Sequence, residues 1–208
     1  MILRLCMLWA DSWFALIFIW IKKIYLSPHD KSKPYVFVSN HISFLDAALL
    51  VKAFRQPFRP LGKVEMVKLP VFGFIYKSAI VTVDRSSAEN RAESIQILKS
   101  IIHKGICVMV FPEGTFNKTN RPLKELYDGA FRVAIETQTP VKPVLFLDNY
   151  DRMNYHRLFS ITPGKCRIVY LDEIAVQGLT ETDIPALKEK VYRIMEEKLI
   201  EYRASWIK

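Results

Sequence analysis

The sequence has few cysteines and few glycines, and both shortages exclude classes of protein. Its three cysteines, Cys6, Cys107 and Cys166, are odd in number and far apart, which argues against a disulfide framework or a zinc site and suits a reducing compartment. Only 7 glycines and 11 prolines occur, and no internal repeat or low-complexity run interrupts the chain, which argues against a long disordered linker. We therefore expect nearly all of the chain to fold.

Short motifs that mark other enzyme classes are also missing. The sequence contains no G-x-S-x-G turn, which disfavours a serine hydrolase, and neither a P-loop nor a G-x-G-x-x-G turn, which disfavours a nucleotide-binding enzyme. His29, His103 and His156 lack the spacing of metal ligands, so we expect no metal site.

The chain does contain many apolar residues and an excess of positive charge. With half of its 208 residues apolar, it can form the core of one domain. Lysine and arginine outnumber aspartate and glutamate by 30 to 21, which gives a net charge of +9. This charge favours an anionic partner, whether nucleic acid, lipid headgroups or an acidic substrate, and does not choose among them.

The first 21 residues are mostly apolar, although Arg4 and Asp11 interrupt them. Three interpretations compete: a membrane-spanning anchor, a helix lying in one leaflet, and a helix buried against the domain. We favour the helix in one leaflet, because a carboxylate is costly at the centre of a bilayer and because tryptophans and lysines suit the headgroup region. The residues that carry this argument are Trp9, Trp13, Trp20, Lys22 and Lys23.

The predicted organisation is an apolar, membrane-associating helical segment over residues 1–28, followed by a folded domain over residues 29–208. Two lysines stand where a signal peptide would need a small-residue cleavage site, so a cleaved signal peptide is disfavoured. Since the cysteine content suits a reducing compartment, we expect the protein to associate with a membrane on its cytoplasmic face.

Beyond Pro28, short β-rich runs alternate with longer amphipathic ones, which predicts an α/β fold with a mostly parallel central sheet flanked by helices. Predicted strands cover residues 36–39, 60–64, 79–83, 106–111, 141–147 and 167–171. Predicted helices cover residues 43–54, 69–76, 87–103 and 129–136, and a last one opens near Thr182 with Pro185 in its first turn. In the 43–54 helix, one face carries Phe44, Ala47, Ala48 and Val51.

The residues NHISFLD, at positions 40–46, directly follow the predicted strand 36–39. Within a regular helix, His41 and Asp46 would lie about 140 degrees apart in projection, so their pairing requires His41 to precede the helix. The carboxylate would then hold one ring nitrogen and leave the other free to accept a proton. The alternative is an ordinary helix start, with Asn40 or Ser43 as the N-cap and His41 incidental.

A second cluster, FPEGT at positions 111–115, follows the most apolar predicted strand. Glu113 brings a carboxylate to the sheet edge, and Gly114 permits close backbone approach. It is either an ordinary turn or the partner of the histidine turn. Lys63 and Arg85 lie between the two clusters in sequence, each near the end of a predicted strand, where a cation could hold a phosphate.

The ordered blocks NHISFLD, AIVTVDR (79–85), FPEGT and TPVKPV (139–144) resemble the 1-acylglycerol-3-phosphate acyltransferase family, the PlsC-like glycerolipid acyltransferases. The resemblance spans roughly residues 35–147. It implies that His41 is the general base and Asp46 orients it, that Lys63 and Arg85 contact the acceptor headgroup, and that Glu113, Gly114 and Thr115 help to bind the acceptor. It also implies no bound cofactor, with acyl-CoA or acyl-acyl carrier protein as co-substrate.

The sequence departs from this family at several positions. Phe116 stands where relatives carry arginine, Ala79 where they carry glycine, and Tyr127 and Asp128 where many carry lysines. These departures thin the basic residues available for a phosphate and leave the histidine and aspartate intact.

The expected function is transfer of a fatty acyl group from a thioester to a hydroxyl of a lysolipid, in the first place 1-acyl-sn-glycerol-3-phosphate, giving phosphatidic acid. The alternatives are an acyltransferase for a lyso-aminolipid, such as an ornithine or glycine lipid, and a non-enzymatic protein that binds anionic lipid. A nucleic-acid partner is not expected, because it would explain only the charge.

Overall fold

The computed structural model describes residues 2–54, 56–63, 80–83, 87–156 and 160–207. The predicted helix over residues 69–76 lies outside these ranges, as do Asp84 and Arg85. For Lys63 the backbone is described and the side chain is not.

Within the described residues, seven strands form one sheet in the order β1-β7-β6-β2-β5-β3-β4. The strands are β1 (Ile19–Tyr25), β2 (Val36–Ser39), β3 (Phe58–Lys63), β4 (Val81–Val83), β5 (Cys107–Val110), β6 (Val141–Phe146) and β7 (Gly164–Tyr170). The helices are α1 (Ile2–Leu16), α2 (Leu45–Ala53), α3 (Ala88–His103), α4 (Gly129–Glu136), α5 (Asn149–Arg152) and α6 (Ile184–Glu201). A 3-10 turn at Glu181–Asp183 precedes α6.

All neighbouring strands in this sheet are parallel except β6 and β7, which are antiparallel. The mostly parallel α/β fold predicted from the sequence is therefore confirmed. Strand β2 lies between β5 and β6, with Val38 opposite both Val110 and Pro143. Because β2 and β5 run in the same direction, the turns that follow them meet at one edge of the sheet.

Helices cover both faces of the sheet, and alternate residues of β2 point to opposite layers. Val36 and Val38 join a core formed with α3, α4 and α6, whereas Phe37 joins one formed with α1 and α2. All four β2 residues are buried. Such a strand, buried on both faces, is a rigid base for the residues that follow it.

Helix α2 buries one aspartate together with apolar residues. Phe44 and Ala47 are exposed, and the buried positions are Leu45, Asp46, Leu49, Leu50 and Ala53. Ala48 and Val51, from the face named in the sequence, pack partly buried against the same core, and the Asp46 carboxylate turns inward to bind the backbone before the helix.

The amino-terminal segment is helical only to Leu16 and then continues as strand β1, so the expectation of a helical segment to residue 28 is corrected. Phe18 adopts a left-handed conformation with φ of 53° that ends the helix. From Ile19 to Tyr25 the backbone pairs in parallel with β7, which satisfies its hydrogen-bonding groups at the sheet edge. The domain division at residue 28 stays a prediction, and a strand of the sheet lies on its amino-terminal side.

Helix α1 has one buried face and one exposed apolar face. Ala10 and Phe14 are buried in the core that contains α2, whereas Leu8, Trp9 and Leu16 are more than half exposed. None of the helices in the described part of the chain is both long and apolar enough to cross a bilayer.

Candidate active site

The turn between β2 and α2 is anchored to the neighbouring strand β6. Asn40 is almost fully buried, and its side-chain amide donates to the carbonyl of Phe146 and accepts from the Phe146 amide, both at 2.9 Å. The Asn40 side chain therefore does not cap the helix. It fixes the point at which the chain leaves the sheet, so that His41 begins from a defined position.

His41 and Asp46 contact each other as predicted, with 2.7 Å between His41 Nδ1 and Asp46 Oδ2. The same Oδ2 accepts the backbone N–H groups of Ile42 at 2.8 Å and Ser43 at 2.9 Å. Asp46 Oδ1 accepts from the Asn149 side-chain amide at 2.6 Å. The Asp46 side chain is fully buried, so these four donors replace the water that a carboxylate otherwise needs.

This arrangement decides which ring nitrogen of His41 is available for chemistry. Because an ionised carboxylate only accepts hydrogen bonds, Nδ1 carries the proton that is shared with Asp46, and Nε2 keeps its lone pair. About a fifth of the His41 side chain, 21%, is exposed. An oriented, partly exposed imidazole in which one nitrogen keeps its lone pair is what general-base catalysis requires.

Glu113 holds the backbone of His41 rather than its ring. Its Oε1 accepts from the His41 N–H at 2.8 Å, and its Oε2 accepts from the Lys124 N–H at 2.9 Å. The side chain is 1% exposed, and this burial raises the Glu113 pKa to about 7, against the two backbone donors, which lower it. Because Glu113 lies on the turn after β5 and accepts from the His41 N–H, its carboxylate joins this turn to the turn after β2.

The glycine and threonine that follow Glu113 lie at the surface of the same turn. Gly114 has φ of 72°, a conformation that few other residues adopt, and its N–H donates to the Phe111 carbonyl at 3.0 Å. Thr115 is exposed, and its hydroxyl accepts from the Lys124 ammonium group at 2.7 Å. The turn thus presents Thr115 outward while Glu113 faces the interior.

Two phenylalanines enclose the His41 ring. Phe111 stacks on it with ring centroids 4.1 Å apart and an interplanar angle of 14°, and Phe116 packs at 4.3 Å with an angle of 59°. Phe116 also meets Phe44 edge to face at 5.0 Å. The imidazole ring is therefore packed against two phenyl rings, while part of the His41 side chain stays exposed.

The structure brings together the predicted residues His41, Asp46, Glu113, Gly114 and Thr115. The predicted headgroup residues Lys63 and Arg85 cannot be placed, since the Lys63 side chain and the whole of Arg85 lie outside the described residues. Asn149 and Asn117, which the sequence analysis missed, also contact the site. Asn149 lies on the short helix α5 after β6, and the Asn117 N–H donates to the His41 carbonyl at 2.7 Å.

The described residues contain no cluster of three or more histidine, cysteine, aspartate or glutamate side chains arranged to bind a metal ion. The chemical groups described at this site are therefore an imidazole, two buried carboxylates, backbone amides and nearby lysines.

A family model described as Acyltransferase matches residues 22–147, a range that contains both turns of the site. Among curated relatives, 1-acyl-sn-glycerol-3-phosphate acyltransferase alpha of Mus musculus is 28% identical over 166 residues, which are 79% of this chain and 58% of the mouse protein. The beta protein of Homo sapiens is 29% identical over 167 residues, 79% of this chain and 59% of the human protein. The chain thus spans less than two thirds of these relatives.

Among solved structures, the chain resembles the crystal structure of the 1-acyl-sn-glycerophosphate (LPA) acyltransferase, PlsC, from Thermotoga maritima. The two share a TM-score of 0.75 at 23% sequence identity, and the match covers 99% of this chain and 81% of the other. This likeness shows that the two chains have the same fold.

Proposed function

Since the chain belongs to the acyltransferase family, whose model matches more than half of its length, we propose that it acylates a hydroxyl of a lysolipid. The leading acceptor is 1-acyl-sn-glycerol-3-phosphate, which would give phosphatidic acid. The donor is a fatty acyl thioester of coenzyme A or acyl carrier protein, and no bound cofactor is required. The single observation that supports this best is the 2.7 Å contact between His41 Nδ1 and the buried Asp46.

In the proposed mechanism, His41 Nε2 removes the proton of the acceptor hydroxyl as its oxygen attacks the thioester carbonyl. The new C–O ester bond forms, the C–S bond breaks, and the proton held by His41 passes to the departing thiolate. Asp46 stabilises the imidazolium that exists between these two proton transfers. No covalent enzyme intermediate is needed.

The remaining predicted residues are assigned to the acceptor. Lys63 and Arg85 are proposed to contact its anionic headgroup, and Gly114 and Thr115 to line its approach, which the outward position of Thr115 supports. For Glu113 we propose that it acts through the His41 backbone, because its carboxylate is buried and accepts from backbone groups.

The protein is proposed to act at the cytoplasmic surface of a membrane. Support comes from apolar side chains on and just after α1, which are more than half exposed: Leu8, Trp9, Leu16, Phe18 and Trp20. Large apolar side chains gathered in one exposed segment favour contact with lipid or with another protein. A lysolipid acceptor would be found at the same surface.

The deciding experiment offers purified protein a panel of lysolipids, each with acyl-CoA and with acyl-acyl carrier protein, and identifies the products by mass. Conversion of 1-acyl-sn-glycerol-3-phosphate to phosphatidic acid is the expected result. Acylation only of an ornithine or glycine lyso-lipid would assign the alternative acceptor, which Phe116 and Asp128 keep open because neither adds positive charge for a phosphate. Binding to anionic vesicles without transfer to any acceptor would contradict an enzymatic function.

A further inference from the structure

The loop over residues 117–124 carries three cations beside the candidate site: Lys118, Arg121 and Lys124. Many other cations of the chain are paired, for example Lys99 with Glu136, Arg167 with Asp148 and Lys188 with Asp128. Among the described residues, none of the three loop cations makes an ion pair with a carboxylate. The Lys118 ammonium group instead lies over the Tyr155 ring, 5.8 Å from the ring centroid.

This loop is attached to the His41 backbone at both of its ends. At its start, the Asn117 N–H donates to the His41 carbonyl at 2.7 Å. At its end, the Lys124 N–H donates to Glu113, whose other oxygen accepts the His41 N–H. The backbone of the loop is thus held against the backbone of His41.

The interior of the loop is ordered by Asn117. Its side-chain oxygen accepts from the backbone N–H of Thr119 at 2.9 Å and from the Thr119 hydroxyl at 2.6 Å. Its side-chain nitrogen donates to the Arg121 carbonyl at 2.9 Å. Because the backbone of the loop is fixed in this way, less conformational entropy would be lost when the loop cations bind an anion.

Lys124 is the loop cation whose side chain is hydrogen-bonded to the turn after β5. Its ammonium group donates one hydrogen bond to the Thr115 hydroxyl at 2.7 Å, on the turn that also carries Glu113. An ammonium group has three hydrogens, so two more can be donated to a ligand. Phe116, the residue after Thr115, is uncharged. The positive charge at this turn therefore comes from the Lys124 side chain.

We infer that Lys124, supported by Lys118 and Arg121, binds the phosphate monoester of the acceptor lysolipid and thereby determines which acceptor is used. This inference rests on the proposed function. Coenzyme A also carries phosphate, but the loop is tied to the base and to the Thr115 turn, so we assign the cations to the molecule whose hydroxyl reaches His41. Charge-assisted hydrogen bonds of this kind are among the stronger polar contacts in proteins.

The test compares wild-type protein with Lys124→Gln, Lys124→Arg and the matched control Lys198→Gln, a surface lysine on α6 that pairs with Glu201. Kinetics are measured with lysophosphatidic acid at saturating acyl-CoA, with acyl-CoA varied at saturating acceptor, and with monoacylglycerol as a phosphate-free acceptor. The Lys124 backbone N–H, which holds Glu113, is retained in every variant.

We expect Lys124→Gln to raise the KM for lysophosphatidic acid by roughly tenfold or more while kcat changes little, because a charge-assisted contact made before the reaction is lost. Lys124→Arg should restore most of the affinity. The KM for acyl-CoA, any transfer to monoacylglycerol, and all constants of Lys198→Gln should stay near the wild-type values.

An unchanged KM for lysophosphatidic acid in Lys124→Gln would overturn the inference while leaving the proposed function intact. A higher KM for acyl-CoA alone would overturn it too, by assigning these cations to the donor. Wild-type protein that acylates only phosphate-free lysolipids would refute both the inference and the leading acceptor.

Discussion

The turn over residues 40–46 and the segment over residues 111–124 both contact His41, but their hydrogen bonds reach different parts of it. In the first, Asp46 binds the imidazole ring, with its carboxylate fully buried and four donors around it. In the second, Glu113 and Asn117 bind the N–H and the carbonyl of the His41 backbone. Each contains one buried carboxylate, and only that of Asp46 binds the ring.

This difference separates two requirements of the general base that we propose His41 to be. The ring must present the correct nitrogen, which is a matter of tautomer and depends on Asp46. The residue as a whole must also be held where the acceptor arrives, which is a matter of backbone position and depends on Glu113. Replacing residues on the two sides should therefore produce different kinetic and thermodynamic effects.

Among the residues that hold His41, the largest effect is expected from Asp46→Asn. The amide of asparagine cannot stabilise an imidazolium as a carboxylate does. Its N–H₂ group would also point at N–H donors that now donate to an oxygen of Asp46. We expect kcat to fall by roughly a hundredfold or more, with a much smaller change in KM. Asp128→Asn is the matched control, since Asp128 is an exposed aspartate paired with Lys188. A kcat within a few-fold of wild type would show that the ring does not depend on this carboxylate.

The next effect concerns the pH dependence of stability and comes from Glu113. Its pKa rises from 4.5 to about 7 on folding because burial disfavours the charged form. Between these values the folded state keeps a proton that the unfolded state has released. The contribution of Glu113 to stability is therefore full below pH 4.5 and is lost as the pH rises to 7 and above, by up to about 3 kcal/mol.

This prediction is measured by urea unfolding of wild type and Glu113→Gln at pH 5 and pH 8. The glutamine does not titrate, so the difference in unfolding free energy between the two proteins isolates the glutamate. Wild type should lose stability relative to the variant as the pH rises. A difference that stays constant with pH, or one that grows in favour of wild type, would contradict the assignment.

The smallest effect is expected from Asn149→Ala, which removes the 2.6 Å hydrogen bond to Asp46 Oδ1. A hydrogen bond to a charged group contributes about 1.5 to 3 kcal/mol, and three donors remain on Asp46. We expect kcat to fall by about tenfold and the KM for the acceptor to stay unchanged, which steady-state kinetics can measure. Asn120→Ala, in the exposed part of the 117–124 loop, serves as the control. Equal kcat values in both variants would show that Asn149 does not support Asp46.

The same two regions differ in how far the sequence revealed them. The pairing of His41 with Asp46 could be predicted, because both residues lie in one short block after a strand and geometry required the histidine to precede the helix. The meeting of that block with the FPEGT turn could also be predicted, because the strands before them were recognisable. The contact between His41 and Asp46 is local in sequence. The two turns meet because the parallel strands before them, β2 and β5, end at the same edge of the sheet.

The contacts of Glu113 and Asn149 could not be predicted from the sequence. Glu113 binds a backbone N–H, and any residue in place of His41 except proline would offer the same group. Asn149 lies 103 residues from Asp46 and on a helix of one turn that has no periodic pattern. Such partners depend on packing between distant elements, which composition and spacing do not record.

The amino-terminal strand was missed for a related reason. Strand β1 is mostly apolar and follows an apolar helix without any glycine or proline between them. The sequence therefore shows one continuous apolar segment and no boundary between helix and strand. The break comes at Phe18, whose positive φ has no signal in the sequence. Pairing with β7, more than a hundred residues away, then decides that Ile19–Tyr25 is extended.

The proposed mechanism requires His41 Nε2 to accept the proton of the acceptor hydroxyl, and His41→Ala removes that nitrogen. The variant is assayed with saturating lysolipid and acyl thioester beside His103→Ala, which removes an exposed histidine at the end of α3. We predict that kcat falls by about a hundredfold to ten-thousandfold in His41→Ala alone, with circular dichroism and vesicle binding unchanged. Turnover close to that of wild type, in a folded His41→Ala protein, would show that His41 is not the base.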